Sequence, residues 1–232
     1  MQSRAKKITE EAGLSDQVSF IKADFMHIPV PDNTYDAVYA IEATCHAPDK
    51  AGCFAEILRV LKPGGYFGAY EVRLHQLEKS HLVLILSLSF TQWVMTDLYD
   101  KTNPKHVDIK EGIEKGNSLP ELAIWHEVDD AMKEAGFELV ESKDLSPTSD
   151  KKTPWHLPLS GSLSISGFKH TRWGRWCTHR MVSWLEWAHI APKGTTEVSK
   201  ILMDTADQLV LGGETNVFTP LWFILGRKPL KE

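Results

Sequence analysis

Two carboxylates, Asp24 and Glu42, each stand just past a stretch that alternates like a β-strand, residues 17–22 and 35–41. Ligands of open α/β sheets bind at the carboxyl ends of the strands, so both acids can face one crevice. Asp24 beside Phe25 can hydrogen-bond and stack on a flat base such as adenine, and an aspartate that caps its own turn is the equal alternative. Residues 41–48, Ile41-Glu42-Ala43-Thr44-Cys45-His46-Ala47-Pro48, are denser in reactive groups than a connection needs. Glu42 and His46 can orient a hydroxyl or move a proton. Cys45 invites a nucleophile reading, but a small buried cysteine is the commoner role. His27, His106, His126 and His156 lack partners at metal-ligand spacing, so no metal site is expected.

The elements that must carry these groups follow from periodicity. Residues 4–12 read as an amphipathic helix stopped by Gly13, and Pro29, Pro31, Asp32 and Asn33 make a turn before the buried strand at 35–41. Cys53, Phe54, Ile57, Leu58 and Leu61 recur at helical spacing over 49–61, and Lys62-Pro63-Gly64-Gly65 ends that helix. A strand at 66–70 follows, then helices over 107–115 and 127–135, and strands at 137–140 and 218–225. Strand–helix–strand alternation predicts an α/β fold with a parallel sheet. Between the last two strands lies a Trp-rich, mostly helical region, 155–212.

Composition narrows the function classes. With 26 basic and 31 acidic residues the net charge is −5, which argues against nucleic acid as a partner. Three cysteines without paired spacing suit a reducing, cytosol-facing compartment. The opening residues read as a charged helix and not as a secretory signal. The most apolar run, HLVLILSLSF at 81–90, is about half of the roughly 20 residues a membrane-crossing helix needs, so no transmembrane helix is expected. A nicotinamide-dependent reductase is disfavoured, because no Gly-x-Gly-x-x-Gly follows a strand.

The string IEATCHAPDKAGCFAEILRVLKPGGYFGAYE at 41–71 resembles the central signature of the sterol 24-C-methyltransferases. The likeness continues through WVMTDLYDKTNPKH, TPWHLPLSG, APKGTTEVSK, LVLGGETNVFTP and the closing GRKP, with fungal forms the nearest in wording. This resemblance implies a Rossmann-like, class I methyltransferase sheet, S-adenosylmethionine as methyl donor, and a sterol substrate with a side-chain double bond at C24. Asp24, Phe25, Ala40 and Ile41 would then lie along the cofactor. Glu42, His46 and Asp144 would bear on catalysis, and Tyr70, Glu71 and Trp93 on substrate. It also implies a peripheral position on the cytosolic face of the endoplasmic reticulum or a lipid droplet, and leaves homo-oligomerisation open. By this likeness residues 1–145 form a partial methyltransferase domain and residues 146–229 a sterol methyltransferase carboxyl-terminal region.

Two departures from the family pattern carry expectations of their own. The chain opens after the family's aromatic-acidic sterol-site segment, the glycine-rich strand–loop that holds the cofactor's carboxypropyl arm and the second strand with its ribose-binding group. Its opening residues match only the helix that follows, and no acidic-x-Gly-x-Gly motif occurs in the chain. A sheet lacking its first two strands would leave the strand at 35–41 with an apolar free edge. The 232-residue chain is therefore expected neither to bind S-adenosylmethionine well nor to methylate sterol, and a non-catalytic fragment that pairs with other methyltransferase chains is the alternative. In the family, moreover, the strand ending Tyr70-Glu71 runs directly into Trp93. The intervening 21 residues, 72–92, read as a non-native insertion whose ends suit an in-frame unspliced intron.

Trp155, Trp173, Trp176, Trp184 and Trp187 crowd the carboxyl region beside Arg172, Arg175 and Arg180. Three readings stay open: helix packing, a pocket for an apolar ring system, or a basic aromatic surface at a membrane interface.

Overall fold

The computed structural model describes residues 2–41, 43–69, 92–146, 154–160 and 171–230. Helix α1 (Gln2–Glu11) leads through irregular chain to strand β1 (Tyr35–Tyr39). A short 3₁₀ turn, Thr44–His46, precedes α2 (Lys50–Val60), and β2 (Leu61–Ala69) follows. Asp49 starts α2 by accepting a hydrogen bond from the Gly52 amide, and Lys62-Pro63-Gly64 prevents its continuation.

Strand β3 (Gln92–Met95) is followed by α3 (Pro104–Asn117), α4 (Trp125–Glu134) and β4 (Glu138–Asp144). Asn103 caps α3 with Pro104 in its first turn, and Ser118 closes it in the left-handed conformation. The carboxyl region adds α5 (Leu157–Ser160), α6 (Arg172–Trp187), α7 (Thr195–Glu214) and β5 (Phe218–Arg227).

β1 and β2 pair in parallel, and β5 lies antiparallel between β2 and β4. The boundary at 145/146 is thus one of sequence only, since β5 is the strand on which the sheet is assembled. Residues 17–22, expected as a strand, are not one: Val18 is 40% and Ile21 55% exposed. No described strand lies beside them to take their amide and carbonyl groups, and an unpaired strand is not stable alone. β1 is the terminal strand, and Tyr39 and Ile41 at its carboxyl end are half-exposed, as expected of an apolar free edge.

β2 and β3 lie end to end along the same edge of β5. Ala69 pairs with Ile224 and Gln92 with Trp222, so the chain advances 23 positions while its partner moves back two, an excess of 21. The register then shifts once more before Val94 pairs with Thr219. Pro220 stands in that step of β5 and has no amide hydrogen to give the ladder. Gln92 itself is built into β3 and is buried. Residues 70–91 lie outside the described residues.

Two apolar clusters form the core. In the first, Phe54 and Ile57 of α2, Val128 and Met132 of α4, and Phe67, Phe137 and Ile224 are all buried. The Phe67 ring is 5.8 Å from that of Phe54 and 5.9 Å from that of Phe137. In the second, Ile109 and Ile113 of α3 meet Met95, Val217 and Phe218. α7 closes on α3 where Gly112 and Gly116 leave room for Gln208 and Thr205.

Candidate functional site

The segment before β1 runs along α2, from Met26 beside Gly52 to a clasp at Arg59 by the amino end of β1. Arg59 donates to the carbonyls of Val30 and Ile28 at 2.8 Å each, and pairs with Asp32 and Glu56 at 2.7 Å. Glu56 in turn accepts from the Ile28 amide. The hydrogen bond from Arg59 holds the Glu56 carboxyl below its usual range. Within this loop Asp24 accepts from the Met26 amide at 2.9 Å, so the carboxylate does cap its own turn, and one oxygen keeps an open side. Phe25 is exposed, while Met26 packs against the first core cluster beside Val38 and Ala40. Met26 also lies against Gly52 in the first turn of α2, so the Asp24–Phe25 turn sits toward the end of α2 that follows β1.

Beyond Ile41 the 3₁₀ turn buries Thr44 and Cys45 and leaves His46 exposed. Cys45 is packed in the second core cluster with Met95 and against Trp93. The other buried thiol, Cys53, is pushed up to about 11 by burial and is not a nucleophile near neutral pH. Gln92 donates to the Thr44 hydroxyl, tying β3 to the turn that follows β1. Glu42, Tyr70 and Glu71 lie outside the described residues.

Trp93 opens an aromatic group that spacing alone did not single out. Trp93 and Trp155 each meet Phe218 edge-on, at 5.6 and 5.7 Å, and Trp155 meets His156 at 5.5 Å. The Trp93 indole nitrogen and His156 Nδ1 are buried, and neither has a hydrogen-bond partner among the described residues. A buried polar atom without a partner is costly, and a ligand's polar group would relieve it. The TPWHLPLSG string contained two of these side chains; nothing in sequence linked them to Phe218, some sixty positions away.

Asp144 is elsewhere. It ends β4, so it shares the carboxyl edge with β1, but β2 and β5 lie between. Three strand spacings amount to about 14 Å. Its carboxylate accepts from the Ser146 amide and hydroxyl and from the Thr219 hydroxyl, at 2.8 to 3.0 Å. The structure therefore brings Asp24, Phe25, Ala40, Ile41, the 44–46 turn and Trp93 toward one end of β1, and leaves Asp144 apart. A cleft of about 290 Å³ lies beside this end, lined by Ala47, Pro48, Lys50, Glu121 and Glu127. Burial holds the Lys50 amine below its usual value. Among the described residues no group of His, Cys, Asp and Glu is arranged to hold a metal ion.

These residues fit one flank of S-adenosylmethionine: an acid and an aromatic ring on the loop, and half-exposed backbone at the end of β1. No Gly-x-Gly occurs in the 232 residues to cradle the carboxypropyl arm.

The family described as sterol methyltransferase C-terminal matches residues 165–230, and that described as methyltransferase domain matches residues 1–69. The chain is 45% identical over 231 residues to cycloartenol-C-24-methyltransferase 1 of Oryza sativa, covering 99% of this chain and 60% of the relative. It is 42% identical over 239 residues to a sterol 24-C-methyltransferase of Aspergillus fumigatus, covering 97% of this chain and 56% of the relative. Plant relatives thus match it as well as fungal ones, and the chain spans about three-fifths of their length. Among solved structures it resembles a putative sarcosine dimethylglycine methyltransferase from Galdieria sulphuraria, at 19% identity and TM-score 0.57, covering 98% of this chain and 65% of that one. A geranyl diphosphate methyltransferase in complex with SAM matches at 14% identity and TM-score 0.57, covering 96% and 62%. At such identities the likeness shows the fold, which is that of the class I methyltransferases.

Proposed function

The chain belongs to the sterol methyltransferase family, and from that premise we propose that it serves transfer of a methyl group from S-adenosylmethionine to C24 of a sterol side chain. When bound, the cofactor supplies an electrophilic methyl group. The observation that carries the proposal is the shared cluster of Cys45, Met95 and Phe218, against which Trp93 and Trp155 pack and which joins the turn beyond β1 to the aromatic group. A side-chain alkene is a weak nucleophile, so its attack depends on alignment. The faces of Trp93 and Trp155, held edge-on by buried Phe218, favour the positive charge that develops on the sterol carbon once the methyl group has moved. In this reading Asp24 and Phe25 flank the adenine, and Ala40 and Ile41 pass beside the methionine moiety. Glu42 and His46 act on the substrate side with Tyr70 and Glu71, and Asp144 anchors the β4 turn. A peripheral position at the endoplasmic reticulum or a lipid droplet belongs to the same proposal. Among the described residues no helix is long and apolar enough to cross a membrane.

As it stands, the 232-residue chain holds S-adenosylmethionine weakly, because the free edge of β1 leaves one side of the cofactor without a wall. We also propose that residues 72–92 interrupt what is otherwise one strand, since the excess along β5 is 21 positions. The test is substrate choice. The chain extended upstream by the region its relatives carry, and relieved of 72–92, should methylate a sterol with a C24 double bond and leave its saturated analogue untouched. Equal labelling of both, or of neither, would contradict the assignment. The free edge of β1, with Tyr39 and Ile41 exposed, also favours a second reading, in which this chain docks a strand from another methyltransferase chain.

A further inference from the structure

Helix α6 has one buried residue, Gly174, and its large apolar side chains face outward. Trp173, Trp176, Trp184 and Trp187 are between 51% and 78% exposed, which overturns helix packing as the reason for them. At 3.6 residues per turn these four indoles fall within an arc of about 80°, with Arg180 at its centre, and they run about 21 Å along the helix. Trp173 and Trp176 meet edge-on at 5.9 Å, and a cleft of about 450 Å³ opens between them and Arg172.

The charges α6 itself places on this face are basic. Arg172 is 3.8 Å from Asp207 with its side chain 74% exposed, and Arg180 makes no ion pair among the described residues. The one acid of α6, Glu186, is turned away and accepts from the amides of Gly194 and Thr196. On α7, exposed Val198 and Leu202 line a separate cavity with Arg175, Thr178 and Val182 of α6, and the acids Glu197 and Asp204 stand on neighbouring positions. An exposed stripe of indoles centred on Arg180, with Asp207 beside Arg172 its one ion-pairing acid among the described residues, departs from a chain of net charge −5. Indole rings favour the level of lipid headgroups, and basic side chains beside them are drawn to anionic lipid.

We propose that α6 lies along an anionic bilayer surface, with the four indoles at headgroup depth and Arg172 and Arg180 on lipid phosphates. The proposal rests on the exposure and charge of α6 and not on the sterol reading.

The test is flotation of the full 232-residue chain with phosphatidylcholine vesicles, with and without phosphatidylserine, alongside quenching of tryptophan emission by brominated lipid. The wild type should float with the anionic vesicles and be quenched. W173A/W187A should bind them at least tenfold more weakly, with an unchanged unfolding midpoint because both side chains are exposed. R180Q should lose most of the dependence on phosphatidylserine. Wild-type flotation by the double variant, or no flotation of the wild type with either vesicle, would overturn the proposal. So would a self-associated wild type that the double variant returns to monomer without any vesicle binding, because the face would then join two copies of this chain.

Discussion

Excising residues 72–92 should stabilise the fold. The pairs Ala69 with Ile224 and Gln92 with Trp222 hold the two ends of the intervening chain two β5 residues apart, so any conformation of the segment must close a loop between fixed points. The closure entropy of 21 residues, taken as (3/2)RT ln n, is about 2–3 kcal/mol. The excision is made together with Glu71→Gln, so that an amide again stands opposite Trp222, where Gln92 was buried and donated to Thr44, and no carboxylate is buried there. Trp93 keeps its side of the strand, and the step at Pro220 is unchanged. Urea unfolding followed by tryptophan emission should show a gain of about 2–3 kcal/mol in the extrapolated stability. Excising one residue fewer or more is the control, because a shift of one flips every side chain of β3 to the other face. That control should lose the gain and loosen Met95 and Val94 from the core. A 21-residue excision that lowers stability would refute the single-strand reasoning.

Other parts of the account can be perturbed separately. Phe67→Ala removes a fully buried ring between Phe54 and Phe137 and should cost about 3–5 kcal/mol in urea unfolding. Gly116→Ala drives a methyl group into Thr205 at the α3–α7 contact and should cost about 1–3 kcal/mol, with part recovered in the Thr205→Ala background. Asp129 is buried and accepts from the Ser142 hydroxyl at 2.7 Å, and burial raises its pKa above 3.8. A raised carboxyl stabilises the fold below the unfolded value and loses that contribution as pH rises through the folded one. Stability measured from pH 3 to 7 should therefore fall for the wild type relative to Asp129→Asn. Glu186 has the opposite sign: its carboxyl, held down to about 2 by Thr196 and the Gly194 amide, supports the α6–α7 junction above pH 4.5 and releases it as pH falls through about 2.

The parts of the fold legible in sequence were those whose order depends on local patterns. The apolar spacing of Cys53, Phe54 and Ile57 placed α2, but β2 begins at Leu61 and not at Tyr66, so Lys62-Pro63-Gly64 lies inside the strand. The strand expected at 17–22 was not legible as coil, since alternation shows which face a segment would bury and not whether a neighbour is there to pair with it. The central position of β5 depends on pairings with residues 66–69, 92–95 and 138–144, all far away in the chain. At the site, Asp24, Phe25, Ala40 and Ile41 could be grouped because each ends a segment of one short stretch. Phe218 could not, because its contacts with Trp93 and Trp155 exist only once β5 has entered the sheet. Asp144 shows the limit of reading acids from strand ends: it reaches the same edge, but its carboxylate is occupied by Ser146 and Thr219.

The carboxyl end of β1, at the edge of the described sheet, is the centre of this account, and one titration addresses it. S-adenosylhomocysteine should be titrated calorimetrically into the 232-residue chain and into the chain extended upstream by the region its relatives carry. Micromolar binding by the extended chain, with binding at least a hundredfold weaker by the 232 residues alone, is the result expected. Micromolar binding by the 232-residue chain alone would show that the end of β1 needs no neighbour to hold the cofactor, and would contradict the account.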